Sequence, residues 1–311
     1  MSNARGGRKN CQTARIRDEL NMNENVRELI QSRSKKVTDP AERKILVLEE
    51  EQAHSIAGKC GLKTKDVYGE AMELGIYPYR YLRNMETISI EEQLKLSKSR
   101  VAVVGAGGLG GNVILLLARL GIGQLVVVDY DVFDETNLNR QALSNVNSLG
   151  KSKSGEAVEL VGSINPGVEV LPYQVKLNTS NAFEILAGSD VVVDALDNIP
   201  DRFVVEKVCK KLRIPLVHGA LAGFEGQIMT IFPGDPGLKH LYGNESAGSD
   251  RSKSPESVLG VPAPTPSLIA TLQVMEVLKI ILKRGKIFRN VMLHVDLETG
   301  EMNEFVFDNH L

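Results

Sequence analysis

Hydrophobic residues in the central part of the chain come in short runs that alternate with stretches of helical spacing. Val101–Val104 and Leu125–Val128 each have the length and composition of a buried strand, and a third run ends at Asp194. A glycine-rich turn and a stretch with helical periodicity separate the first two runs. Strands that alternate with helices in this way predict an α/β fold with a parallel sheet.

The pattern changes in the second half of the chain. Ile214–Ala220 is expected to form a strand that enters a tight loop, and Gly226–Pro233 the strand that leaves it. Val291–Asp296 and Glu304–Phe307 close the chain as an antiparallel pair. We therefore expect a Rossmann-like fold whose sheet is mixed and mostly parallel in the first half, with antiparallel strands in the second.

One apolar stretch, Leu268–Leu282, is long enough to invite a transmembrane interpretation. Gln273, Glu276 and Lys279 interrupt it. The pattern therefore favours a helix in a buried core or at a dimer interface, and no membrane association.

The first 92 residues do not follow the alternating pattern. Residues 1–38 are rich in basic residues and predict a disordered tail, and residues 39–92 predict a small helical arm in front of a main domain at 93–311. Asp39 and Pro40 have the composition of a helix start, and Thr64 is expected to cap a second helix. The segment Leu62–Val67 weakly resembles a DNA-reading helical module, but its mixed charge favours a helical arm that packs on protein.

Composition narrows the classes of protein. With 311 residues, of which 42% are hydrophobic, the chain can bury one large α/β core and an appendage. The net charge of −2 gives no electrostatic case for nucleic acid. No signal peptide is predicted, and the three cysteines, Cys11, Cys60 and Cys209, fit a reducing cytoplasm.

The turn after the first strand carries the strongest chemical signal. Gly105, Gly107 and Gly110 have the spacing of a nucleotide-binding loop, and Asp129 ends the next strand. A phosphate would bind at the N-terminus of the helix that starts near Gly108, where unpaired N–H groups and the helix dipole favour an anion. NAD, FAD and ATP can all use such a loop, so the loop alone leaves the ligand open.

Residues further along favour ATP over a dinucleotide. Arg140 and Lys153 can neutralise a triphosphate, and a carboxylate such as Asp197 can hold Mg²⁺ against it. An NAD enzyme needs none of these three.

The order of these motifs resembles the ubiquitin-activating-type adenylyltransferases of the ThiF/MoeB/HesA family. From about Arg80 to the C-terminus the family's five motifs follow in sequence. They are G-x-G-G-L-G at Gly105–Gly110, D-x-D at Asp129–Asp131, N-L-x-R-Q at Asn137–Gln141, G-x-x-K at Gly150–Lys153 and D-x-x-D-N at Asp194–Asn198.

The resemblance implies a role for each matching residue. Asp129 would take the ribose hydroxyls, Lys153 the phosphate tail and Asp197 the Mg²⁺. The implied nucleotide-binding residues are Gly105, Gly107, Gly108, Gly110, Asp129, Asp131, Asn137, Arg140, Gln141, Lys153 and Asn198, and the implied catalytic residues are Arg83, Arg140, Lys153 and Asp197.

Arg83 lies in the segment Arg80–Asn84, which is similar to the family's R-Y-x-R-Q signature with asparagine in place of glutamine. In relatives this arginine reaches the nucleotide of the partner subunit. The resemblance therefore implies a homodimer, with Arg80 as the alternative donor.

The chain departs from its relatives in two ways. The two C-x-x-C pairs that hold structural zinc in many members are missing, so no zinc is expected, and His240 would be a lone ligand. The crossover loop, about Leu241–Ala263, contains no cysteine. Covalent catalysis by this chain is therefore not expected.

The function implied by the resemblance is ATP-dependent adenylation of the C-terminal Gly-Gly carboxylate of a ubiquitin-like sulfur-carrier protein, for thiamine, molybdopterin or tungstopterin synthesis. An external sulfur donor such as a cysteine desulfurase or a rhodanese would then take the acyl group. Alternatives are an adenylating enzyme for a small carboxylate, like the dehydratase that modifies threonylcarbamoyl-adenosine in tRNA, a non-catalytic ATP-binding scaffold and an NAD dehydrogenase.

Overall fold

The computed structural model describes residues 24–243 and 254–307 of the chain. The chain forms two compact units that divide between Leu94 and Lys95. A helix over Ile90–Lys98, α4, spans the division.

The first unit combines helices with a small three-stranded sheet of order β1-β2-β3. Strands β1 and β2 are antiparallel, and β2 and β3 are parallel. Along the chain the elements are α1 (24–33), β1 (Lys35–Thr38), β2 (Lys44–Leu48), α2 (Glu50–Cys60), α3 (Thr64–Glu73), β3 (Tyr77–Pro78) and a 3₁₀ helix (Tyr79–Asn84). Their core contains Val26, Ile30, Leu48, Ile56 and Val67 among other apolar residues.

The predicted helix start at Asp39 is wrong. One carboxylate oxygen of Asp39 accepts hydrogen bonds from the backbone N–H groups of Ala41 and Arg43, at 2.9 and 2.8 Å. This closes a turn between β1 and β2, because an aspartate side chain can bond the backbone two residues on. The apolar run that follows continues as β2, and the first helix after it begins at Glu50.

The expectation of a disordered tail to residue 38 is also wrong where the structure describes it. Residues 24–33 are helical and Lys35–Thr38 form a strand. Residues 1–23, including Cys11, lie outside the described residues. The arm is therefore a mixed α/β unit and not a purely helical one.

The second unit is built on an eight-stranded sheet, which confirms the predicted fold class. Its strand order is β11-β10-β9-β8-β7-β4-β5-β6. The five strands from β6 to β8 in this order are parallel, and β8 to β11 pair antiparallel. The strands are β4 (Arg100–Val104), β5 (Gln124–Val128), β6 (Glu169–Tyr173), β7 (Val191–Asp194), β8 (Leu216–Ala222), β9 (Glu225–Ile231), β10 (Val291–Asp296) and β11 (Glu301–Val306).

Helices accompany the sheet, and the expected ones that start near Gly108 and cover Leu268–Leu282 are among them. They are α5 (Gly108–Leu120), α6 (Lys153–Ile164), α7 (Ala182–Leu186), α8 (Ile199–Leu212), α9 (Leu238–Tyr242), α10 (Pro255–Leu259) and α11 (Pro264–Leu282). The central strands are apolar on both faces: Val101–Val104 and Leu125–Val128 are buried throughout. This is the composition of parallel strands that are covered on both sides.

Among the described residues, α11 is the one helix long and apolar enough to cross a membrane. Two of its polar residues, Gln273 and Glu276, are buried and hold it to the sheet. The Gln273 amide donates hydrogen bonds to the carbonyls of Asp194 and Val217, at 2.9 and 3.2 Å. The Glu276 carboxylate accepts from the Thr230 hydroxyl at 2.6 Å. These bonds explain how a buried helix tolerates Gln273 and Glu276, two of the three residues that interrupt its apolar run.

Candidate active site

The glycine loop and the first turn of α5 contain two glycines that the fold itself requires. Gly105 has a φ of +97°, and a Cβ there would lie 2.5 Å from the Ala195 carbonyl oxygen. A Cβ on Gly110 would lie 1.8 Å from the carbonyl oxygen of Gly105. Around Gly107 and Gly108 the nearest atoms would stand 3.7 and 3.6 Å away, so no side chain crowds these two positions.

Asp129 holds the loop from the end of β5. Its carboxylate accepts hydrogen bonds from the backbone N–H groups of Ala106, at 2.7 Å, and Asp131, at 2.8 Å. Burial raises the pKa of Asp129, while these two bonds act in the opposite direction. The residue therefore braces the loop in addition to any contact that it makes with a ribose.

A pocket of 340 Å³ opens above this loop, outside the carboxyl ends of β4, β5 and β7. Doubly wound sheets place their ligands at such a switch point. The structure brings most of the predicted residues together here: the lining includes Gly105, Gly107, Gly108, Asp129, Asp131, Arg140, Gln141, Lys153 and Asp197. Gly110, Asn137 and Asn198 do not line this pocket.

Lys153 is the first residue of α6 and points inward. Its side chain is 8% exposed, and its Nζ lies 3.3 Å from Oδ2 of Asp131. Lys151, two residues earlier, is on the surface and pairs with Glu156. The pocket thus receives the lysine that fits the G-x-x-K spacing.

The N-L-x-R-Q segment contributes its last two residues to the pocket. Arg140 is steadied by bonds from its Nη1 to the Thr136 carbonyl, at 2.7 Å, and to the side chain of Asn139. Gln141 is buried, and its Oε1 has no hydrogen-bond partner in the part of the chain that the structure describes. Asn137 instead closes a 3₁₀ turn, because its Oδ1 accepts from the Asp134 N–H at 3.0 Å.

Asp197 follows β7 and is exposed at the pocket. Its neighbour Asn198 caps α8: the Asn198 Oδ1 accepts from the Asp201 N–H at 2.9 Å. The Asn198 amide also donates to Oδ1 of Asp197 at 3.1 Å. Asn198 therefore orients the proposed metal ligand from outside the pocket.

The oxygen donors at this pocket suit Mg²⁺. Carboxylates of Asp197 and Asp201 line it beside the glycine loop, and Mg²⁺ is commonly bound by one or two carboxylates together with substrate phosphates. Within residues 24–243 and 254–307, no three His, Cys, Asp or Glu side chains form a cluster that could hold a metal by protein ligands alone.

A second pocket, of 410 Å³, adjoins the first. Asp197, Arg202 and Glu256 belong to the lining of both. Its wall also contains the polar residues Asn198, Glu225, Gln227, Tyr242, Ser254 and His294.

A buried polar network lies beneath the two pockets, and the sequence analysis missed it. Oδ2 of Asp194 lies 2.7 Å from Nδ1 of His218, and Nε2 of His218 lies 3.1 Å from the Tyr242 hydroxyl. Nη1 of Arg202 donates to the same hydroxyl at 2.7 Å. A polar residue in each of two neighbouring apolar strands, Asp194 in β7 and His218 in β8, is the signal that could have revealed it.

Burial favours the neutral forms of two members of the network, His218 and Tyr242. Burial lowers the pKa of His218 and raises that of Tyr242. A neutral His218 donates a hydrogen bond from its Nδ1–H to the Asp194 carboxylate. Its Nε2 can then accept a hydrogen bond from the Tyr242 hydroxyl.

Arg83 lies exposed in the 3₁₀ helix of the first unit. Arg80 is paired with Glu50 in the same unit. The catalytic role of Arg83 stays a prediction.

Comparison with known proteins gives this site its context. The ThiF family profile matches residues 80–310. The SAMP-activating enzyme E1 of Haloferax volcanii is 40% identical over 220 residues, which cover 70% of this chain and 80% of that protein. The adenylyltransferase and sulfurtransferase MOCS3 of Arabidopsis thaliana is 36% identical over 289 residues, 89% of this chain and 61% of the relative.

A probable molybdopterin-synthase adenylyltransferase of Porphyra purpurea is 34% identical over 222 residues, 70% of this chain and 57% of its own length. The chain thus spans less than two thirds of the plant and algal relatives.

Solved structures show the same fold at low sequence identity. Escherichia coli MccB with ATP has a TM-score of 0.61 and 21% identity, over 73% of this chain and 71% of that one. PaaA has a TM-score of 0.59 and 20% identity, over 83% and 82%. With a family match across most of its length and relatives at more than a third identity, the chain belongs to the ThiF family.

Proposed function

We propose that this chain is an adenylyltransferase that activates the C-terminal Gly-Gly carboxylate of a ubiquitin-like sulfur-carrier protein with Mg·ATP and releases pyrophosphate. One observation carries the proposal. The pocket above the glycine loop collects Lys153, Arg140 and the carboxylate of Asp197, and a second pocket adjoins it at Asp197. A nucleotide and an acyl substrate can therefore meet at one wall.

The relatives' names agree with this reaction. The proteins similar to this chain include an enzyme named for activating SAMP and several named adenylyltransferases. The family's use of ATP matches the cations of the first pocket, because Arg140 and Lys153 can meet the charge of a triphosphate.

In the proposed site the glycine loop and the N-terminus of α5 hold the phosphates, and Asp129 takes the ribose hydroxyls. Lys153 and Arg140 neutralise charge on the phosphate tail. Asp197 would hold Mg²⁺, which supplies further positive charge at the phosphates. Asn198 keeps the Asp197 carboxylate in place through the 3.1 Å hydrogen bond.

The substrate carboxylate attacks the α-phosphate in line, the bond to the β-phosphate breaks, and pyrophosphate leaves. A carboxylate is already ionised at neutral pH, so the step needs no general base. Catalysis then consists of positioning and of charge neutralisation by groups already in place.

Later steps also belong to the proposal. The crossover loop contains no cysteine, so the acyl-adenylate passes to an external sulfur donor such as a cysteine desulfurase or a rhodanese. We infer a cytoplasmic homodimer in which Arg83 reaches the nucleotide of the partner subunit.

The reaction is tested by ATP–pyrophosphate exchange. Exchange should require a carrier protein that ends in Gly-Gly and should disappear when the two glycines are removed from the carrier. Exchange that instead depends on a small carboxylate or on modified tRNA would replace the carrier proposal. Tight ATP binding with no exchange for any substrate would indicate a scaffold.

A further inference from the structure

Arg202 occupies the wall that separates the two pockets, and no role has been assigned to it. It lies on α8, one turn after the cap residue Asn198. It contributes to the lining of both pockets although the residue is only 3% exposed. A buried arginine that reaches two cavities is placed to touch what passes between them.

Its hydrogen bonds hold the guanidinium group but do not use it fully. Nη1 donates to the Tyr242 hydroxyl at 2.7 Å, and Nη2 donates to the Leu196 carbonyl at 2.5 Å. Nε is buried and has no hydrogen-bond partner among the described residues. Arginine has five N–H donors, so part of its capacity remains for a ligand.

The charge of Arg202 is only loosely matched by protein. Its closest carboxylate oxygens are those of Glu256, at 3.8 Å, and Asp194, at 3.9 Å, both beyond hydrogen-bond distance. Asp194 is already hydrogen-bonded by His218 and by the backbone N–H of Leu196. Burial acts to lower the pKa of Arg202, but Tyr242 and Asp194 raise it above its ordinary value, so the group stays charged.

The reaction creates a need at this place. A substrate carboxylate must approach the anionic α-phosphate, and two like charges repel strongly where water is excluded. A fixed guanidinium at the junction offsets this repulsion and orients the carboxylate oxygens, because arginine binds carboxylates through its planar fork of N–H groups.

We propose that Arg202 binds the carboxylate of the acyl substrate at the junction of the two pockets and that Asp194, His218 and Tyr242 position it. Arg202 touches substrate and is a catalytic residue. The other three act through it: Tyr242 holds Nη1, and the Asp194–His218 pair fixes the direction in which the Tyr242 hydroxyl points. The inference rests on the proposed function, because it assumes an acyl carboxylate in the second pocket.

The sharpest test compares two ligands that differ only in the group that Arg202 should bind. One is a short peptide that ends in a Gly-Gly carboxylate, and the other is the same peptide with a C-terminal amide. Their affinities for the full chain are measured by calorimetry in the presence of Mg²⁺ and α,β-methylene ATP. The wild-type protein should bind the carboxylate peptide roughly 30-fold or more tightly than the amide peptide. This is the difference in affinity expected for a desolvated charge pair.

Arg202→Ala should reduce this preference to about one, and both peptides are compared at a saturating concentration of the ATP analogue so that a change in nucleotide affinity does not enter the ratio. Arg202→Lys should keep part of the preference, because the charge remains. Tyr242→Phe removes only the positioning hydroxyl and should give an intermediate preference, so it serves if Arg202→Ala fails to fold. Added guanidinium should restore part of the lost binding in a folded Arg202→Ala protein.

Arg289→Ala is the matched control, because Arg289 pairs with Asp235 at 2.7 Å and lines neither pocket. It should lower the melting temperature and leave the preference unchanged. An unchanged preference in folded Arg202→Ala or in both Arg202→Lys and Tyr242→Phe would overturn the inference, as would a wild-type protein with no preference. This readout involves no turnover, so it separates a failure of the inference from an absence of carrier-dependent pyrophosphate exchange.

Discussion

The ammonium group of Lys153 lies 3.3 Å from Oδ2 of Asp131, and the two side chains differ sharply in exposure: 8% for the lysine and 46% for the aspartate. The cation is on the inner side of the nucleotide pocket and its carboxylate partner on the outer side. A bound phosphate would meet a lysine whose position is already fixed by the first turn of α6. The aspartate keeps this lysine from being an isolated charge when the pocket holds no anion.

The position of Lys153 predicts that the pocket prefers ATP to NAD. Mg·ATP should raise the melting temperature of the protein and NAD should not, because Arg140 and Lys153 find a full triphosphate to neutralise only in ATP. Lys153→Met should abolish most of the shift produced by ATP. Lys151→Met, two residues away on the surface, is the control and should keep it. Equal stabilisation by NAD and ATP in a thermal-shift experiment would contradict the ATP assignment.

Asp197 is expected to be essential for chemistry and dispensable for folding. Asp197→Ala should raise the activation barrier of ATP–pyrophosphate exchange by at least ~3 kcal/mol, a typical loss for one preorganised electrostatic group. Its melting temperature should stay close to that of the wild type, because the side chain is exposed beyond the end of β7. Glu159→Ala removes an exposed carboxylate from α6 and should leave exchange intact. Full exchange by Asp197→Ala would remove the proposed metal role.

The buried histidine should make stability depend on pH. Burial lowers the pKa of His218, so below about pH 6.5 the unfolded chain binds a proton that the folded chain refuses. The contribution of His218 to the free energy of unfolding should therefore be fully present above that pH and should decrease as the pH falls. The groups that face this ring are Asp194 from β7 and Tyr242 from α9, with Arg202 from α8 beyond the hydroxyl.

His218→Gln should lack this dependence. Between pH 6.5 and 5 the stability of the wild type relative to the variant should decline by up to about 1.4 kcal/mol per pH unit. Urea unfolding at several pH values measures the difference, and the comparison cancels the contribution of surface carboxylates. A difference that stays constant with pH would show that the ring titrates equally in both states.

The two cysteines in the described residues should differ in reactivity. Cys209 is buried, and burial raises the pKa of its thiol, which keeps it in the unreactive protonated form. Cys60 is partly exposed. Iodoacetamide at pH 8 should label Cys60 in the folded protein and Cys209 only after denaturation, as mass spectrometry can show.

Replacing Cys11, Cys60 and Cys209 together should preserve adenylation per folded molecule. Loss of adenylation in this variant would point to a thiol intermediate.

The homodimer proposal is tested by subunit mixing. Arg83→Ala and Asp197→Ala homodimers should each be inactive, because one lacks the donated arginine and the other the metal ligand. A mixed dimer contains one site with both residues and should regain pyrophosphate exchange, in keeping with a closed two-fold assembly. No recovery after confirmed subunit exchange would mean that Arg83 acts within its own chain or has no part in the reaction.

The sequence was sufficient to predict the parts of the fold that local patterns determine. The apolar strands Val101–Val104 and Leu125–Val128, the glycine loop and the helix that starts at Gly108 all lie where the motifs indicated. The family resemblance assigned Arg140 and Asp197 to one site, and both residues line the same pocket. Both kinds of signal depend on spacing along the chain, which is why they could be read in advance.

Two features could not be obtained in this way. The side chain of Asp39 closes a hairpin turn instead of starting a helix, because the strand partner that decides between these outcomes comes from β1. The polar network joins Asp194, His218 and Tyr242 from three separate elements. A polar residue in each of two apolar strands hints at such a network, but only the strand order shows that these side chains are neighbours.

The four glycines of the nucleotide loop divide into those that a folded chain demands and those that it does not. A library randomised at these positions and selected only for soluble, heat-resistant protein should keep glycine at 105 and 110, where a Cβ would meet backbone carbonyls. Alanine and serine should spread freely at 107 and 108, where the nearest atoms leave ordinary van der Waals room. Selection for growth that depends on turnover should then remove these variants. The two rounds together would separate, residue by residue, the glycines that the architecture requires from those that nucleotide binding requires.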